Sequence, residues 1–175
     1  MENVEAQTMK LLGHGEANGL KSSSVRFNKG DVLYGKMRPY LNKVWLAEFD
    51  GLGSAEFLVF PKTEGLNNQL LAYRLNSQDF VNFANRQVSG ERPRVNFHKL
   101  AKFPILLPPS REQDRIVAKL DALLSQVAAG EAAARRALDR LQRYRAAILN
   151  AAVTGELTRE WRKTHAPEET GAQLL

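Results

Sequence analysis

The feature that most constrains this chain is a long helical pattern in its second half. The segment from Glu112 to Thr154 contains no proline and a single glycine, Gly130. Within it, apolar or small residues recur at alternating steps of four and three, and this spacing is sustained for five heptads. Such a repeat predicts one helix of a coiled coil. The predicted seam comprises Ile116, Leu120, Leu123, Val127, Gly130, Ala134, Ala137, Leu141, Tyr144, Ile148 and Ala151.

The sequence also predicts where this helix begins and ends. Ser110 stands three residues before Gln113, which is the spacing of a capping box, and Gly155 predicts a C-terminal stop. A helix of roughly 40 residues extends about 60 Å, which is longer than a small domain is wide. It cannot bury its whole seam against the preceding residues, so we expect it to pair with a helix outside this segment. The alternative is a helical hairpin that turns at residues 128–130, although a mid-helix glycine costs only about 1 kcal/mol.

The residues before the helix contain short apolar runs that predict a small sheet. The strand candidates are residues 32–34, 44–47 and 57–60. Glycine and serine between the second and third runs predict that residues 50–54 form a connecting loop. Pro61 follows the third run and ends it, because proline has no N–H to donate to a neighbouring strand.

A helical pattern follows these strands. Apolar residues from Asn68 to Gln87 recur with the period of a helix and predict one or two helices, with a break near Asn76 and Ser77. The predicted fold class is therefore α+β, with a mixed α/β head followed by a long coiled-coil-forming helix. The predicted divisions are the head over residues 1–109, the long helix over residues 110–155 and a C-terminal tail over residues 156–175.

The positive charge of the chain is concentrated in two segments of the predicted head. The formal net charge is +6 and the sequence pI is about 9.7. Residues 21–43 carry six basic side chains against one acidic, and residues 86–102 carry five against one. Residues 111–175 are nearly balanced, with eleven against nine. A basic balance favours a polyanionic partner through counterion release, and both basic segments have the composition of loops.

The residue types present exclude several kinds of chemistry. The chain has no cysteine, so disulfides and thiolate metal sites are excluded. No apolar run approaches the roughly 20 residues that span a bilayer, and the N-terminus lacks the apolar core of a signal peptide. We therefore expect a cytoplasmic protein with no membrane partner. His14, His98 and His165 lack metal-binding spacing and no phosphate-binding glycine motif occurs, so we expect neither a metal nor a cofactor.

A nuclease is the catalytic alternative that the sequence offers. Asp50, Glu56 and Lys62 could be arranged as two acids and a lysine beside the predicted strands. Carboxylates in such a group would hold Mg²⁺. Lys62 follows the strand-ending Pro61, which disfavours this arrangement, and we expect no catalytic residue in the chain.

Several segments together resemble the specificity (S) subunits of type I restriction–modification enzymes. The strings GDVLYGKMRPYLNKVWLAEFDG (Gly30 to Gly51) and SAEFLVF (Ser54 to Phe60) resemble the late part of a target-recognition domain. SGERPRVNFHKLAKFPI (Ser89 to Ile105) resembles its closing segment. LPPSREQDRIVAKLDALL (Leu107 to Leu124) resembles the start of the conserved helical region, and AILNAAVTGELTREWR (Ala147 to Arg162) resembles its end. The resemblance spans nearly the whole chain.

By this resemblance, the chain is a DNA sequence-recognition subunit and not an enzyme. In that family, two target-recognition domains are each followed by a long helix, and the two helices pair antiparallel between the halves of a split DNA site. Methyltransferase (M) subunits bind the S subunit, and restriction (R) subunits add translocation and cleavage. The resemblance implies double-stranded DNA, M subunits and, through them, R subunits as partners. With one domain and one helix present, we expect an N-terminally truncated head and a homodimer through the long helix.

The two basic segments supply candidate DNA contacts. Lysine and serine bind phosphates without a base preference, whereas arginine forks match guanine and asparagine amides match adenine. The candidates for phosphate contacts are Lys21, Ser22, Ser23, Lys36 and Lys43. The candidates for base contacts are Arg38, Tyr40, Asn42, Arg92, Arg94 and Asn96. The alternative role for Arg38 is an internal ion pair.

Two other functions stay open from the sequence alone. The chain could be a structural interaction module, whose helix recruits partners while the truncated head binds no DNA. It could also be a stand-alone nuclease, which would show metal-dependent cleavage by the purified chain. The helix arginines Arg135, Arg136, Arg140, Arg143 and Arg145 are expected to face solvent or a partner protein.

Overall fold

The structure is a computed structural model that describes residues 3–15, 23–165 and 171–173. The chain divides into two compact units, residues 1–120 and residues 121–175. The strands are β1 (Ser24–Phe27), β2 (Val32–Gly35), β3 (Val44–Leu46), β4 (Gly51–Ser54) and β5 (Phe57–Phe60). The helices are α1 (Asn68–Leu75), α2 (Gln78–Arg86), α3 (Phe97–Leu100), α4 (Ser110–Val153) and α5 (Arg159–Thr164). None of the helices in these ranges is long and apolar enough to cross a membrane.

The three predicted apolar runs form one antiparallel sheet, and the predicted α+β class is confirmed. The strand order is β3-β2-β5, so β2 is central. Leu33 of β2 lies opposite Trp45 of β3 on one side and opposite Val59 of β5 on the other. All four residues of β2 are buried, as expected for a strand with a neighbour on each edge and side chains packed on both faces.

A buried aspartate fixes the first residue of the central strand. Asp31 Oδ2 accepts a hydrogen bond from the backbone N–H of Asn28 at 2.8 Å, and Oδ1 accepts one from the N–H of Lys62 at 3.1 Å. Gly30 precedes it with a φ of 90°, in the left-handed region that favours glycine. These contacts join the start of β2 to the chain that leaves β5.

The prediction of a connecting loop over residues 50–54 is wrong, because Gly51–Ser54 forms β4 and pairs antiparallel with β1. Gly51 lies opposite Phe27, and a Cβ atom on Gly51 would approach the Phe27 ring to 2.9 Å. Gly51 therefore allows close approach of an aromatic ring to the backbone, although in the sequence it indicates a turn. The partner strand β1 has no continuous apolar run that would have predicted this pair.

Alternate residues of β2 belong to two apolar clusters, as the period of a strand requires. Val32 and Tyr34 pack with residues of α1 and α2, among them Phe80. Leu33 packs with Phe27, Trp45 and other residues of the second cluster. The Tyr34 and Phe80 rings meet edge to face with centroids 5.5 Å apart, and burial raises the pKa of the Tyr34 hydroxyl above its usual range.

The predicted helical region is confirmed as two helices with a break at residues 76–77. Ser77 Oγ donates to Asp79 Oδ1 at 2.6 Å, and the Arg74 guanidinium lies 2.7 Å from Asp79 Oδ2. The hydrogen bond from Ser77, followed by that from Arg74, lowers the pKa of the Asp79 carboxyl. These contacts fix the chain between α1 and α2.

The capping box predicted for the start of α4 is also wrong, because Gln113 binds another part of the first unit. Its side-chain Oε1 accepts a hydrogen bond from the backbone N–H of Asn67 at 2.8 Å. Its Nε2 donates to the carbonyl oxygens of Gly65 and Pro108, at 2.9 and 2.8 Å. The Gln113 side chain is 1% exposed. A glutamine with three satisfied hydrogen bonds thus attaches the first turn of α4 to the loop before α1.

The long helix continues without interruption from Ser110 to Val153, so the alternative hairpin at residues 128–130 does not occur. A Cβ atom on Gly130 would meet nothing within 4 Å, which means that this glycine is not needed for packing in the described structure. The helix ends before Gly155, whose φ of 74° is the left-handed conformation of a helix stop. The predicted divisions at residues 109 and 155 stay predictions.

Candidate nucleic-acid interface

Backbone hydrogen bonds bring the two basic segments of the head together. The N–H of Arg38 donates to the carbonyl oxygen of Pro93 at 2.8 Å, and the N–H of Val95 donates to the carbonyl oxygen of Lys36 at 3.0 Å. Met37 and Arg94 form an isolated antiparallel bridge between these bonds. Cationic residues more than fifty positions apart in sequence therefore share one stretch of surface. We call the exposed or partly exposed cations of this stretch, Lys36, Arg38, Arg92 and Arg94, the basic cluster.

The turn after Lys36 has a constrained backbone. Arg38 has a φ of 51° and Asn42 a φ of 41°, both in the left-handed region that non-glycine residues rarely adopt. Between them Pro39–Leu41 forms a 3₁₀ turn, in which the Arg38 carbonyl oxygen accepts from the N–H of Leu41 at 2.8 Å. Pro39, the first residue of this turn, is buried, whereas Tyr40 is 47% exposed. The turn thus presents Tyr40 and Arg38 at the surface from a rigid base.

Asn42 does not share this exposure. Its side chain is 1% exposed, and its Nδ2 donates to Asn76 Oδ1 at 2.8 Å. Its backbone carbonyl oxygen accepts from the N–H of Gln7 at 3.1 Å. An amide buried in this way cannot reach a base edge, so the base-reading role predicted for Asn42 is corrected to a structural one. The left-handed backbone directs this residue inward, which its sequence position beside Lys43 does not reveal.

Lys36 and Ser23 meet the same short turn between β4 and β5. Lys36 Nζ donates to the carbonyl oxygen of Ala55 at 2.6 Å, which leaves its other ammonium hydrogens for an additional acceptor. The backbone carbonyl of Ser23 accepts from the N–H of Ala55 at 3.2 Å. Both predicted phosphate-binding residues therefore lie at one turn, although they are separated by thirteen positions.

The second basic segment contributes one arginine with a defined partner. Arg94 Nη2 lies 2.8 Å from Glu56 Oε1, and the two side chains are 58% and 30% exposed. Arg92 is exposed. Asn96 is exposed as well, and its Oδ1 accepts from the N–H of Lys99 at 3.0 Å at the start of α3, so its amide hydrogens remain as donors. Glu56 was not among the predicted DNA-binding residues, because the sequence does not indicate that this carboxylate pairs with an arginine distant in the chain.

The other predicted phosphate contacts are Lys43, Lys21 and Ser22. Lys43 precedes β3, and its carbonyl oxygen accepts from the N–H of Gly35 at 2.8 Å. Lys21 and Ser22 lie outside the described residues. The proposed internal ion pair of Arg38 does not occur within the described part of the chain, where its backbone N–H donates to Pro93 and its carbonyl oxygen accepts from Leu41.

The three residues of the nuclease hypothesis have separate partners. Asp50 accepts from the N–H of Lys29 at 2.6 Å, Glu56 pairs with Arg94, and Lys62 binds Asp31 through its backbone. Across residues 3–15, 23–165 and 171–173, no group of three or more histidine, aspartate or glutamate side chains could hold a metal ion. The geometry therefore favours a binding surface of cations and amides over a catalytic centre.

A cavity of about 630 Å³ lies elsewhere in the head, and aromatic and glycine residues form about half of its lining. Its lining includes Phe27, Trp45, Phe49 and Phe57, together with Gly51. Gly15 and Ser23 also border it, and the residues between them are outside the described ranges. The basic cluster is not part of its lining, so the cavity and the candidate interface are distinct features.

The distal part of α4 exposes a broad apolar surface. Among the predicted seam residues, Leu123, Val127, Ala134, Leu141 and Ile148 are exposed, and Ile116 and Leu120 are partly buried. Leu124, Leu138 and Leu149, which the heptad pattern did not include, are exposed too. The apolar surface is therefore wider than a two-position seam, which suits contact with more than one neighbouring helix.

Comparisons with known proteins identify the family of this chain. The family model described as the type I restriction modification DNA specificity domain matches residues 15–134, and the chain belongs to this family. The specificity subunit of the type I restriction enzyme EcoDI from Escherichia coli is 31% identical over 180 residues, which cover 99% of this chain and 40% of that subunit. The EcoKI specificity subunit from Escherichia coli strain K12 is 41% identical over 71 residues, or 39% of this chain and 15% of that subunit.

A solved structure shares the fold. The crystal structure of the HsdS subunit from Thermoanaerobacter tengcongensis superposes with a TM-score of 0.64 at 23% identity, covering 97% of this chain and 43% of that chain. This likeness establishes the fold alone. The chain spans about two fifths of the length of the EcoDI subunit and of this HsdS subunit.

Proposed function

We propose that this chain recognises a DNA sequence as part of a type I restriction–modification specificity subunit, and directs methyltransferase and restriction subunits to a bipartite target. The observation that carries the proposal is the backbone pairing of residues 36–38 with residues 93–95, which joins the two basic segments. Membership in the DNA specificity domain family supports the same function. The chain itself is proposed to perform no catalysis, and we expect it in the cytoplasm, where its DNA target and partner subunits act.

The proposed contacts divide into two kinds. Lys36 and Ser23 bind phosphates, because both lie at the turn around Ala55 and neither group selects a base. Arg38, Tyr40, Arg92, Arg94 and Asn96 reach base edges, since these side chains are exposed and offer forked donors, amide donors or a ring. Asn42 is removed from the set by its burial, and Lys21, Ser22 and Lys43 remain predicted phosphate contacts.

The long helix is proposed to set the distance between two heads. Its exposed apolar surface requires a second helix, and when this chain is alone the second helix belongs to another copy, which gives a homodimer. Methyltransferase subunits are proposed to bind this paired region, and restriction subunits to join through them. A stiff pair of helices would then fix the spacing of the two half-sites.

The test is DNA binding by the full chain assembled with its methyltransferase subunit. The probe is a duplex library with two randomised half-sites, and binding is measured as a function of salt concentration. We expect a variant with Arg38→Ala and Arg92→Ala to bind more weakly, because each lost base contact costs about 1–3 kcal/mol. Lys62→Ala is the matched control, an exposed cation beyond the opposite end of β5 from Glu56.

The outcomes separate the alternatives. Selection of a bipartite sequence by the assembled complex, with weaker binding only in the cluster variant, supports the proposal. If the complex assembles but the head variants leave affinity and selected sequence unchanged, the chain acts as an interaction module instead. Metal-dependent cleavage by the purified chain would favour the nuclease hypothesis.

A further inference from the structure

We propose that Glu56 is a positioning residue that orients the Arg94 guanidinium for base recognition and withholds it from phosphates. The inference rests on the proposed DNA-recognition function and adds a residue to it. The Glu56 carboxylate lies on the surface that is proposed to bind DNA, where electrostatics alone would disfavour a negative charge. Glu56 Oε1 lies 2.8 Å from Arg94 Nη2, and the Glu56 carbonyl oxygen accepts from the N–H of Lys36, so this carboxylate adjoins two members of the basic cluster.

The carboxylate is carried by a firmly held turn. The N–H of Glu56 donates to Ser54 Oγ at 3.2 Å, and its carbonyl oxygen accepts from the N–H of Lys36 at 2.8 Å. The preceding residue, Ala55, binds both the backbone of Ser23 and the ammonium group of Lys36. Glu56 Oε2 is buried and makes no hydrogen bond within the described ranges. The side chain therefore has one buried oxygen and one oxygen that binds Arg94.

Arg94 is restrained at both of its ends. Its backbone forms the bridge to Met37, and its Nη2 binds Glu56 Oε1 at 2.8 Å. A guanidinium has five N–H donors, so one contact to Glu56 leaves a free fork for a further planar acceptor. At 58% exposure, the side chain of Arg94 is open to such a partner.

Neither stability nor DNA affinity accounts for this carboxylate. An ion pair with an exposed arginine contributes little to folding, and a negative charge near DNA phosphates weakens binding of any sequence. Orientation does account for it, because a guanidinium held in place loses less freedom when it forms a bidentate contact. The nearby carboxylate also disfavours a phosphate at the same guanidinium, which makes base contact the better alternative for Arg94.

The test uses the full chain assembled with its methyltransferase subunit and the duplex library with randomised half-sites. Glu56→Gln, Arg94→Ala and the double variant are compared with the wild type. We expect Arg94→Ala to remove the preference at one base position. Glu56→Gln should reduce the preference at that same position by about fivefold or more. It should also steepen the salt dependence by about 0.9, because the released arginine can bind a phosphate.

Three controls separate positioning from charge and from folding. Glu91→Gln removes a negative charge from the same basic segment, so we expect a general rise in affinity with unchanged base preferences. Glu56→Asp retains the charge but shortens the reach to Arg94, so the preference should fall as it does in Glu56→Gln. Thermal unfolding of each variant shows that the head is intact, and the double variant should lose no more preference than Arg94→Ala alone.

The possible failures are distinguishable. If the wild-type complex selects no sequence, the proposed function itself fails. If the wild type selects a sequence but Arg94→Ala preserves every base preference, the positioning role of Glu56 is overturned and the function stands. The positioning role is also overturned if Arg94→Ala removes a base preference while Glu56→Gln and Glu56→Asp both retain that preference at its wild-type strength.

Discussion

The head and the distal part of α4 use the same apolar residue types in opposite ways. In the head, which lies within the compact unit of residues 1–120, side chains such as Phe80 and Leu33 are almost completely buried by contacts distant in sequence. In the distal helix, residues 121–153, Leu141 is 63% exposed and its apolar neighbours are similarly open. The head therefore obtains its stability from its own chain. The distal helix carries an apolar surface that stays exposed among the described residues.

The two regions are therefore suited to different functions. A rigid head can hold donors at fixed positions, which is what base recognition requires, because a misplaced fork loses its bidentate match. A long helix with an exposed apolar surface is suited to pairing and to setting a distance.

The largest expected effect comes from truncating one large apolar side chain to alanine in each region. Phe80→Ala should lower the free energy of unfolding of the head by about 3–5 kcal/mol, because it removes a buried aromatic ring. Leu141→Ala should leave head stability unchanged and weaken self-association instead. Urea unfolding followed through Trp45 fluorescence, in a Trp161→Phe background, measures the first effect, and sedimentation measures the second. Equal losses of head stability in both variants would erase the distinction between the regions.

A smaller loss of stability is expected from a change in the first turn of α4, where Gln113 binds the loop before α1. Gln113→Ala removes three hydrogen bonds and leaves the N–H of Asn67 and the carbonyl oxygens of Gly65 and Pro108 without that amide. Unsatisfied buried groups cost about 1–3 kcal/mol each, less where water can enter, so we expect a loss of about 2–3 kcal/mol. Gln126→Ala, at an exposed position of the same helix, is the matched control. A stability loss no greater than that of Gln126→Ala would show that the amide does not anchor the helix.

The smallest effect tests the continuity of the distal helix. Gly130→Ala should raise stability or helix content slightly, by up to about 1 kcal/mol, because alanine favours a helix and a Cβ there meets nothing within 4 Å. Circular dichroism during thermal unfolding measures this gain. Reduced helix content in the variant would indicate a turn at Gly130 and would restore the hairpin alternative.

The elements with a local pattern could be predicted from the sequence. The heptad spacing predicted a helix that is continuous over Ser110–Val153, and the apolar runs predicted β2, β3 and β5. The break at residues 76–77 was also apparent, because the helical period is interrupted there by residues that favour caps. In each case the sequence pattern and the element that it predicts occupy the same continuous segment of the chain.

Features that depend on a distant partner could not be predicted. The glycines of β4 indicate a turn until Phe27 is known to lie against Gly51, and Gln113 has capping spacing until its amide is placed against residues 65–67. The basic segments were recognised by charge, whereas their joining through residues 36–38 and 93–95 was not. Asn42 and Glu56 show the same limit, since the burial of one and the Arg94 contact of the other depend on tertiary structure.

The most direct test of this account is an arginine-modification footprint of the full chain assembled with its methyltransferase subunit. Modification of each arginine by phenylglyoxal is quantified by mass spectrometry, with and without the selected bipartite duplex. We predict that DNA protects Arg38, Arg92 and Arg94 and leaves Arg136, Arg140 and Arg143 of the distal helix as reactive as before. Protection confined to the helix arginines, with the three head arginines unchanged, would contradict the account.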